Sequence, residues 1–150
     1  MESIDKQKII QIGILVKDIR SSTKKWSEFL DCPLPQIFKT EGYDQTGAEY
    51  NGQPCHGLIY QSFFDLGNTQ IELIQPVDDT PSIWYDCLQK NGEGIHHIAF
   101  KAVDMAKNIE NLEKGGSPLL QKGEFKGGRY AYLDAMPSLQ VILELLEFDQ

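Results

Sequence analysis

Apolar and polar residues alternate over residues 9–16 (IIQIGILV), near the start of the chain. The even-numbered positions carry branched apolar side chains, whereas the other face begins with Gln11 and Gly13. This alternation predicts a β-strand with an apolar back and a front that is polar or small near its first residues. Asp18 follows as a candidate helix N-cap, and the predicted helix ends before Pro33.

The same order of elements returns in the second half of the chain. Residues 92–100 (GEGIHHIAF) begin a second apolar strand with His96 and His97, and Asp104 is a candidate cap for the helix that follows. His97 lies 86 residues after Gln11, and the second cap lies 86 residues after the first. Because neighbouring side chains in a strand point to opposite faces, we expect His97 to face a cleft and His96 to lie on the other face as a structural residue.

Each half is therefore predicted to be a βαβββ module. The first module spans residues 8–76 and contains a polar loop at residues 40–54, and the second module spans residues 92–147. The linker between them, residues 77–91, contains a predicted helix capped by Thr80. A module of about 70 residues has a marginal core alone, so we expect the two modules to pair into one α+β domain with a curved mixed sheet. Pairing within one chain and exchange between the two chains of a dimer both fit this pattern.

Two acidic residues lie inside otherwise apolar strands at matching places. Glu72 is part of IELI in the first half, and Glu144 is part of LELL in the second. A buried carboxylate requires a cation, a hydrogen-bond partner or a proton. If the first and last strands of each module are neighbours, Gln11 meets Glu72 and His97 meets Glu144, and this donor set suits a divalent ion such as Zn, Ni, Co or Mn. The alternative is that both acids lie at sheet edges and face water.

The composition indicates a globular chain with an acidic balance. Its 14 Lys and Arg against 22 Asp and Glu give a formal net charge of −8, which repels the phosphates of nucleic acids. The chain contains no run of about 18 apolar residues, and its start, MESIDKQK, lacks the apolar core of a signal peptide. We therefore expect a cytoplasmic protein without a nucleic-acid or membrane partner. The three cysteines form no CxxC pair and are expected to be reduced thiols.

Three stretches carry a resemblance to a known family, namely IIQIGILVKDI, GEGIHHIAFKAVDM and GGRYAYLDA, together with the two acid-bearing strands. Over residues 9–147 the chain resembles the vicinal oxygen chelate superfamily, which includes glyoxalase I, methylmalonyl-CoA epimerase and bleomycin-sequestering proteins. The resemblance implies a glyoxalase-like fold in which paired modules enclose a metal cup. It also implies four metal ligands, which are Gln11, Glu72, His97 and Glu144.

The resemblance points to two enzymes of this superfamily. The ligand order is similar to that of eukaryotic glyoxalase I, whereas GIHHIAF, and GGR before a late strand, are closer to methylmalonyl-CoA epimerase. That epimerase usually has His where this chain has Gln11, and it carries a glutamate shortly before a first-half strand, where QPCHGLIY offers Cys55 and His56. The arginine with which glyoxalase I binds glutathione has no counterpart near Leu15. An acyl-CoA and a thiol adduct therefore both stay open as substrates.

The leading hypothesis is a metal-dependent isomerase or lyase. It would transfer a proton next to a metal-bound carbonyl, in a methylmalonyl-CoA epimerase-like or lactoylglutathione lyase-like reaction, with Glu144 as the catalytic mobile carboxylate and Glu72 second. The alternative is a non-catalytic binding protein of the same fold, such as one that sequesters an antibiotic. An oxygenase is disfavoured because those sites generally use two His and one carboxylate, and only His97 falls at a ligand position. We expect a homodimer with a small-molecule ligand.

Basic side chains supply candidates for substrate binding. Lys122 and Arg129 flank glycines in QKGEFKGGR, and Lys101 is expected to share a face with His97 in a regular strand. These cations suit a substrate carboxylate or a CoA phosphate, and His56 is a further candidate. The alternative for the cluster around the glycines is a solvated turn.

Overall fold

A curved mixed sheet forms the body of the molecule, and the computed structural model describes residues 3–150 of it. The strands are β1 (Ser3–Ile4), β2 (Gln11–Leu15), β3 (Phe38–Lys39), β4 (Glu49–Tyr50), β5 (Gln53–Pro54), β6 (Ile59–Asp65), β7 (Gln70–Pro76), β8 (Gly94–Val103), β9 (Leu119–Phe125), β10 (Gly128–Ala135) and β11 (Val141–Phe148). The helices are α1 (Ile19–Leu30), α2 (Tyr43–Thr46), α3 (Ile83–Asn91), α4 (Met105–Lys114) and α5 (Met136–Leu139). None of the helices in residues 3–150 has the length and apolar character needed to cross a membrane.

The order of the strands shows two modules joined at the centre of the sheet. The order is β3-β6-β7-β2-β8-β11-β10-β9-β4-β5, and β1 pairs with β8 outside this path. Strands β2 and β7 are parallel neighbours in the first module, as are β8 and β11 in the second. The modules meet through the antiparallel pairing of β2 with β8 within one chain. The predicted fold of paired βαβββ modules is therefore confirmed.

The long helices of the two modules cover one face of the sheet. Asp18 caps α1 by accepting a hydrogen bond from the backbone N–H of Ser21 at 3.2 Å, and Asp104 caps α4 by accepting one from the N–H of Lys107 at 3.3 Å. Helix α1 packs with the side of β7 that carries Leu73, and α4 packs with the corresponding side of β11. The acids of β7 and β11 alternate with these packed residues, so they lie on the opposite face.

Helix α3 of the linker lies on this opposite face. Ile83, Trp84 and Leu88 of α3 form one buried cluster with Ile74, which follows Glu72 by two positions in β7. Because side chains alternate along a strand, Ile74 shares its face with Glu72. The linker helix therefore covers part of the same sheet face that carries the acids.

The cap predicted for the linker helix is wrong by two residues. Ser82 accepts a hydrogen bond from the backbone N–H of Tyr85 at 3.0 Å, whereas Thr80 lies in a bend before the helix. The backbone N–H of Ile83 also donates to the buried Oε1 of Gln121 at 2.9 Å, which ties the first turn of α3 to β9. This contact joins residues far apart in the sequence, so local capping preferences could not indicate it.

Residues 40–54, predicted as an open polar loop, contain α2 and the hairpin β4–β5. We call this segment the clip, because β4 pairs with β9 and places Glu49 opposite Lys122. A segment of the first module therefore extends the sheet of the second. Asn51 and Gly52 have φ values of 52° and 76°, as in the two-residue turns that close tight hairpins. This Asn-Gly pair was the sequence signal for the hairpin, and the loop prediction is wrong here.

Candidate metal centre

The first strands of the two modules face each other at the centre of the sheet. In the β2–β8 pair, Gln11 lies opposite Ala99, and His97 lies opposite Gly13. Each polar residue therefore faces a small residue of the other strand. A Cβ atom at Gly13 would overlap the imidazole ring of His97, so the position of this ring requires glycine there. The sequence signal for this arrangement is the match between QIG and HIA in the two halves.

The last strand of each module brings a carboxylate to the same place. Glu72 is in register with Gly13 through the parallel β2–β7 pair, and Glu144 is in register with Ala99 through the parallel β8–β11 pair. Each acid is therefore in register with the residue that lies two positions after Gln11 or His97 in the neighbouring strand. Four side chains converge in a cluster that we call the cup: Gln11, Glu72, His97 and Glu144.

The polar atoms of the cup lie close together and away from solvent. Nε2 of His97 is 2.8 Å from Oε2 of Glu144, 3.5 Å from Oε1 of Glu72 and 3.1 Å from Oε1 of Gln11. The exposed fractions are 0% for His97, 4% for each glutamate and 7% for Gln11, so water screens these contacts little. Two atoms bound to one ion at about 2.1 Å and at roughly 90–109° lie about 3.0–3.4 Å apart, which is close to the spacing in the cup.

The amide of Gln11 has two possible orientations, which suit different states of the cup. Its Nε2 donates to Oε1 of Gln70 at 2.8 Å, which turns its carbonyl oxygen toward the two carboxylates. The reversed amide would place Nε2 at 3.0 Å from Glu144 and 3.1 Å from Glu72, and its oxygen would accept a hydrogen bond from a likewise reversed amide of Gln70, an arrangement that suits the cup without an ion. A cation among the oxygens removes the repulsion in the first orientation. One imidazole nitrogen and three oxygens also suit a divalent ion, so the residues fit such a group.

The two carboxylates of the cup have different surroundings. Oε2 of Glu72 accepts a hydrogen bond from Nε2 of Gln61 at 2.6 Å, so that one oxygen is held while Oε1 faces His97. Glu144 contacts His97 through Oε2. Sequence reasoning missed Gln61 because only the register of β6 with β7, in which Gln61 lies opposite Ile74, places it diagonal to Glu72. Its role depends on strand pairing and has no local signal.

Burial changes the acid–base properties of the cup. Burial raises the pKa of Glu72 to about 7, a rise that the charge of His97 opposes and the charge of Glu144 increases. For His97, burial lowers the pKa, but the carboxylates of Glu144 and Glu72 outweigh this effect and raise the pKa above its ordinary value. Protons and a divalent ion therefore compete for the same atoms near neutral pH.

A β-bulge changes the position that was predicted for His96. Ile14 of β2 pairs with Ile95 and the next pair contains His97, so His96 is one extra residue in β8. Both imidazole rings lie against the ring of Tyr132, with centroids 5.2 Å away for His96 and 5.1 Å away for His97. The prediction that the two histidines face opposite sides is wrong, because alternation fails where a strand gains an unpaired residue.

Tyr132 and the linker helix form a wall beside the cup. Tyr132 is in register with Glu144 in the β10–β11 pair, and its hydroxyl accepts a hydrogen bond from Nε1 of Trp84 at 3.1 Å. Trp84 is buried in α3, as its place in the apolar stripe of that helix predicts. The linker therefore fixes the aromatic ring on which the histidines lie.

Two of the candidate substrate-binding residues contact the clip or its flank. Lys122 forms an ion pair with Glu49 of the clip, at 3.7 Å between Nζ and Oε2. The ring of His56 lies on the ring of Tyr43, with centroids 4.8 Å apart. The clip thus supplies the partners of both side chains.

The other two candidates line a surface cavity of about 360 Å³. Lys101 is exposed and lies four residues beyond His97, about 13 Å along β8. Arg129 pairs with Asp149 at 2.6 Å and with Glu147 at 3.2 Å. The structure brings Lys101 and Arg129 together, but at a distance from the cup.

The protein is built from two paired modules, and the cup at their junction contains two carboxylates, an amide and an imidazole. The family model described as the Glyoxalase/Bleomycin resistance protein/Dioxygenase superfamily matches residues 10–132. The chain belongs to this superfamily.

Curated relatives match part of the chain. An ethylmalonyl-CoA/methylmalonyl-CoA epimerase of Cereibacter sphaeroides is 35% identical over 88 residues, which are 56% of this chain and 64% of that protein. An uncharacterized protein of Bacillus subtilis is 29% identical over 90 residues, which are 57% of this chain and 63% of that protein. The match therefore spans just under two thirds of the length of each relative.

Solved structures share the fold over nearly the whole chain. A hypothetical protein from Bacillus halodurans has a TM-score of 0.67 at 23% identity and covers 95% of both chains. Methylmalonyl-CoA epimerase from Mycobacterium tuberculosis has a TM-score of 0.63 at 19% identity and covers 96% of this chain and 92% of its own. A methylmalonyl-CoA epimerase in complex with methylmalonyl-CoA and NH4+ has a TM-score of 0.63 at 20% identity, with 94% of both chains covered. At these identities the likeness shows a common fold.

Proposed function

We propose that this protein is a metal-dependent isomerase or lyase that transfers a proton at a carbon next to a carbonyl group of a small-molecule substrate. The observation that carries the proposal is the convergence of three buried side-chain oxygens within 2.8–3.5 Å of His97 Nε2. Two carboxylates buried side by side are costly unless a positive charge compensates them. A divalent ion supplies that charge.

Hydrogen bonds to neighbouring amides support a holding role for the first-module residues. In the orientation that suits an ion, Gln11 donates to Gln70 and its oxygen points into the cup, while Gln61 holds one oxygen of Glu72 and leaves the other facing His97. His97 adds its Nε2 atom from the second module. A divalent ion held there is a Lewis acid that acidifies a carbon next to a carbonyl group.

Glu144 is the proposed proton carrier. Its Oε2 reaches His97 at 2.8 Å, and it lies across from Glu72 at the junction of the modules. Gln61 holds Glu72, whereas Glu144 has no such amide partner in the described residues. Glu144 is therefore the acid that suits the removal and return of a substrate proton. Tyr132 and Trp84 cover one side of this position and keep water from it.

For the substrate we propose an acyl-CoA thioester first and a thiol adduct second. The acyl-CoA version is supported by the epimerase relative from Cereibacter sphaeroides and by the similar fold that was solved with methylmalonyl-CoA. Inversion at one carbon requires proton delivery on the face opposite to removal, whereas a shift to the neighbouring carbon can use one carboxylate. Because Glu144 is the single proposed proton carrier, the lyase version stays in the proposal.

The second candidate function is a binding protein of the same fold that performs no reaction. The observation that favours it concerns Cys55 and His56, which stand where the resembling epimerases carry an acid. The thiol of Cys55 is buried at 3.5 Å from the carbonyl oxygen of Pro81, and His56 stacks on Tyr43. This segment therefore supplies a thiol and an imidazole in place of a second proton-carrying acid.

Metal content and solvent hydrogen exchange test the proposal together. The protein is stripped with a chelator, loaded separately with Zn, Mn, Co or Ni, and incubated in D2O with methylmalonyl-CoA or with the hemithioacetal of glutathione and methylglyoxal. We expect one bound ion per chain and incorporation of deuterium into the substrate. Glu144→Gln should abolish the incorporation. Glu110→Gln, an exposed control on α4, should change neither result. Failure to retain any of the four ions would contradict the metal-dependent mechanism. Saturable binding without deuterium incorporation would support the binding protein instead.

A further inference from the structure

His96 is buried beside the cup without a role in the reaction proposed above. Its exposed fraction is 5%, and it occupies the bulge of β8. Nδ1 of His96 lies 2.9 Å from Nδ1 of His97, whereas Nε2 of His96 has no hydrogen-bond partner in the described part of the chain. A buried polar atom without a partner disfavours folding, so stability alone does not account for this imidazole.

Two Nδ1 atoms at hydrogen-bond distance need one donor and one acceptor. Nε2 of His97 faces the cup, where its neighbours are oxygens of Gln11, Glu72 and Glu144. A neutral imidazole that binds an ion through Nε2 carries its proton on Nδ1. His97 is therefore the donor, Nδ1 of His96 is the acceptor, and His96 carries its own proton on Nε2.

We propose that His96 is a positioning residue: its Nδ1 holds the Nδ1 proton of His97 and keeps Nε2 of His97 directed into the cup. The bulge is the backbone feature that makes this contact possible, because a regular strand would place the two rings on opposite faces. Tyr132 supports the pair, since both rings lie against its ring. The inference rests on the metal centre of the proposed function.

Three substitutions of His96 separate the hydrogen bond from packing. His96→Asn keeps an acceptor close to the position of Nδ1, His96→Gln moves the acceptor toward the position of Nε2, and His96→Phe keeps a ring without an acceptor. The dissociation constant for Zn²⁺ is measured by competition with a chelator, and the melting temperature of the ion-free protein reports on folding. We expect about 10–100-fold weaker Zn²⁺ binding for Phe and Gln, and binding within about threefold of the unsubstituted protein for Asn.

Equal Zn²⁺ affinity in the Gln variant and the unsubstituted protein would overturn the proposal, and this comparison holds even if the Phe variant does not fold. A second measurement is independent of the ion. With ¹⁵N-labelled histidine, we expect a coupling through the hydrogen bond between Nδ1 of His96 and Nδ1 of His97, which is absent in His96→Phe. Absence of this coupling in the unsubstituted protein would overturn the role of His96. A protein that shows the coupling but binds no ion would instead contradict the proposed function.

Discussion

The two modules place different residues beside equivalent acids. Gln61 in β6 and Tyr130 in β10 each lie opposite the residue two positions after the acid of their module. Gln61 donates a hydrogen bond to Glu72 at 2.6 Å, whereas the hydroxyl of Tyr130 accepts one from Nε2 of Gln121 at 3.0 Å. The same strand geometry therefore restrains one carboxylate and leaves the other, Glu144, without the equivalent amide.

This difference supports the two roles that we propose for the equivalent acids. A carboxylate with one oxygen held by an amide keeps a fixed direction, which suits a ligand. The equivalent carboxylate, Glu144, contacts His97 through Oε2 but lies beside Tyr130, which bonds Gln121 instead, and this supports the proton-carrier role proposed for it. The modules are alike in backbone and differ at the side chains that surround their acids.

The largest expected effect is that of Glu144→Gln compared with Glu72→Gln. We expect Glu144→Gln to lower kcat by about 10²–10⁴-fold while the ion is retained, because a proton carrier is lost and an oxygen ligand is kept. Glu72→Gln should mainly weaken ion binding. Steady-state kinetics on fully loaded protein, with the ion content measured in parallel, make the comparison. An equal loss of kcat in both variants at full occupancy would remove the functional difference between the acids.

A smaller effect is expected when the restraint on Glu72 is removed. Gln61→Leu deletes the hydrogen bond to Glu72, and we expect the ion affinity to fall about 10–100-fold, as for other partners of metal ligands. The matched control is Tyr130→Phe at the equivalent position of the second module, which should change the affinity less than about threefold. Chelator competition measures both variants. Similar losses of ion affinity in the two variants would mean that Gln61 and Tyr130 contribute equally to ion binding.

The small residues of the β2–β8 pair offer a third test. Gly13→Ala places a Cβ atom that overlaps the ring of His97, and overpacking of this kind costs about 1–3 kcal/mol of folding free energy. Gly42→Ala is the control, because a Cβ atom there meets no atom within 4 Å and the φ of −78° suits alanine. Urea unfolding of the ion-free variants measures the free energy of unfolding of each. A Gly13→Ala variant as stable as the control would contradict the close approach of the ring.

The smallest effect per experimental step is the change in ion affinity with each pH unit. Burial raises the pKa of Glu72 to about 7, so below that pH an ion must displace a proton from this carboxyl group. Glu72 should therefore contribute about a tenfold fall in affinity per unit as the pH drops below 7, and this contribution should disappear above 7. The imidazolium of His97, whose pKa is also raised by the carboxylates of Glu144 and Glu72, adds its own proton to the slope. Isothermal titration from pH 5 to pH 8 in buffers of different ionisation enthalpy measures the slope and the proton released. Glu72→Gln should have a shallower slope, and an unchanged slope would assign the proton to another group.

Local patterns in the sequence were sufficient to predict the fold and the N-caps of the two longest helices, α1 and α4. Strand alternation predicted β2 and β8, and Asp18 and Asp104 cap α1 and α4 as expected. The interval of 86 residues between Gln11 and His97 predicted which residues occupy equivalent places. These features depend on side-chain periodicity and on short-range hydrogen bonds, which a single chain displays directly.

Features that depend on strand register could not be predicted in the same way. The bulge at His96 adds one residue to β8, and GIHHIAF reads as a regular strand unless its partner is known. The hydrogen bond from Gln61 to Glu72 depends on the offset between β6 and β7. The anchoring of Ile83 by Gln121 joins the linker to β9 over 38 residues. Each is a non-local contact that is set by the assembled sheet.

The pairing of the clip with β9 has a consequence for the order of folding. Glu49 and Lys122 are 73 residues apart, and the strand that receives β4 belongs to the second module. In the described part of the chain β4 pairs only with β5 and β9, so the clip can join the sheet only after β9 has formed. The clip should therefore be the last part to acquire protection in pulsed hydrogen exchange during refolding, and its protection would mark the moment at which the chain has completed its native topology.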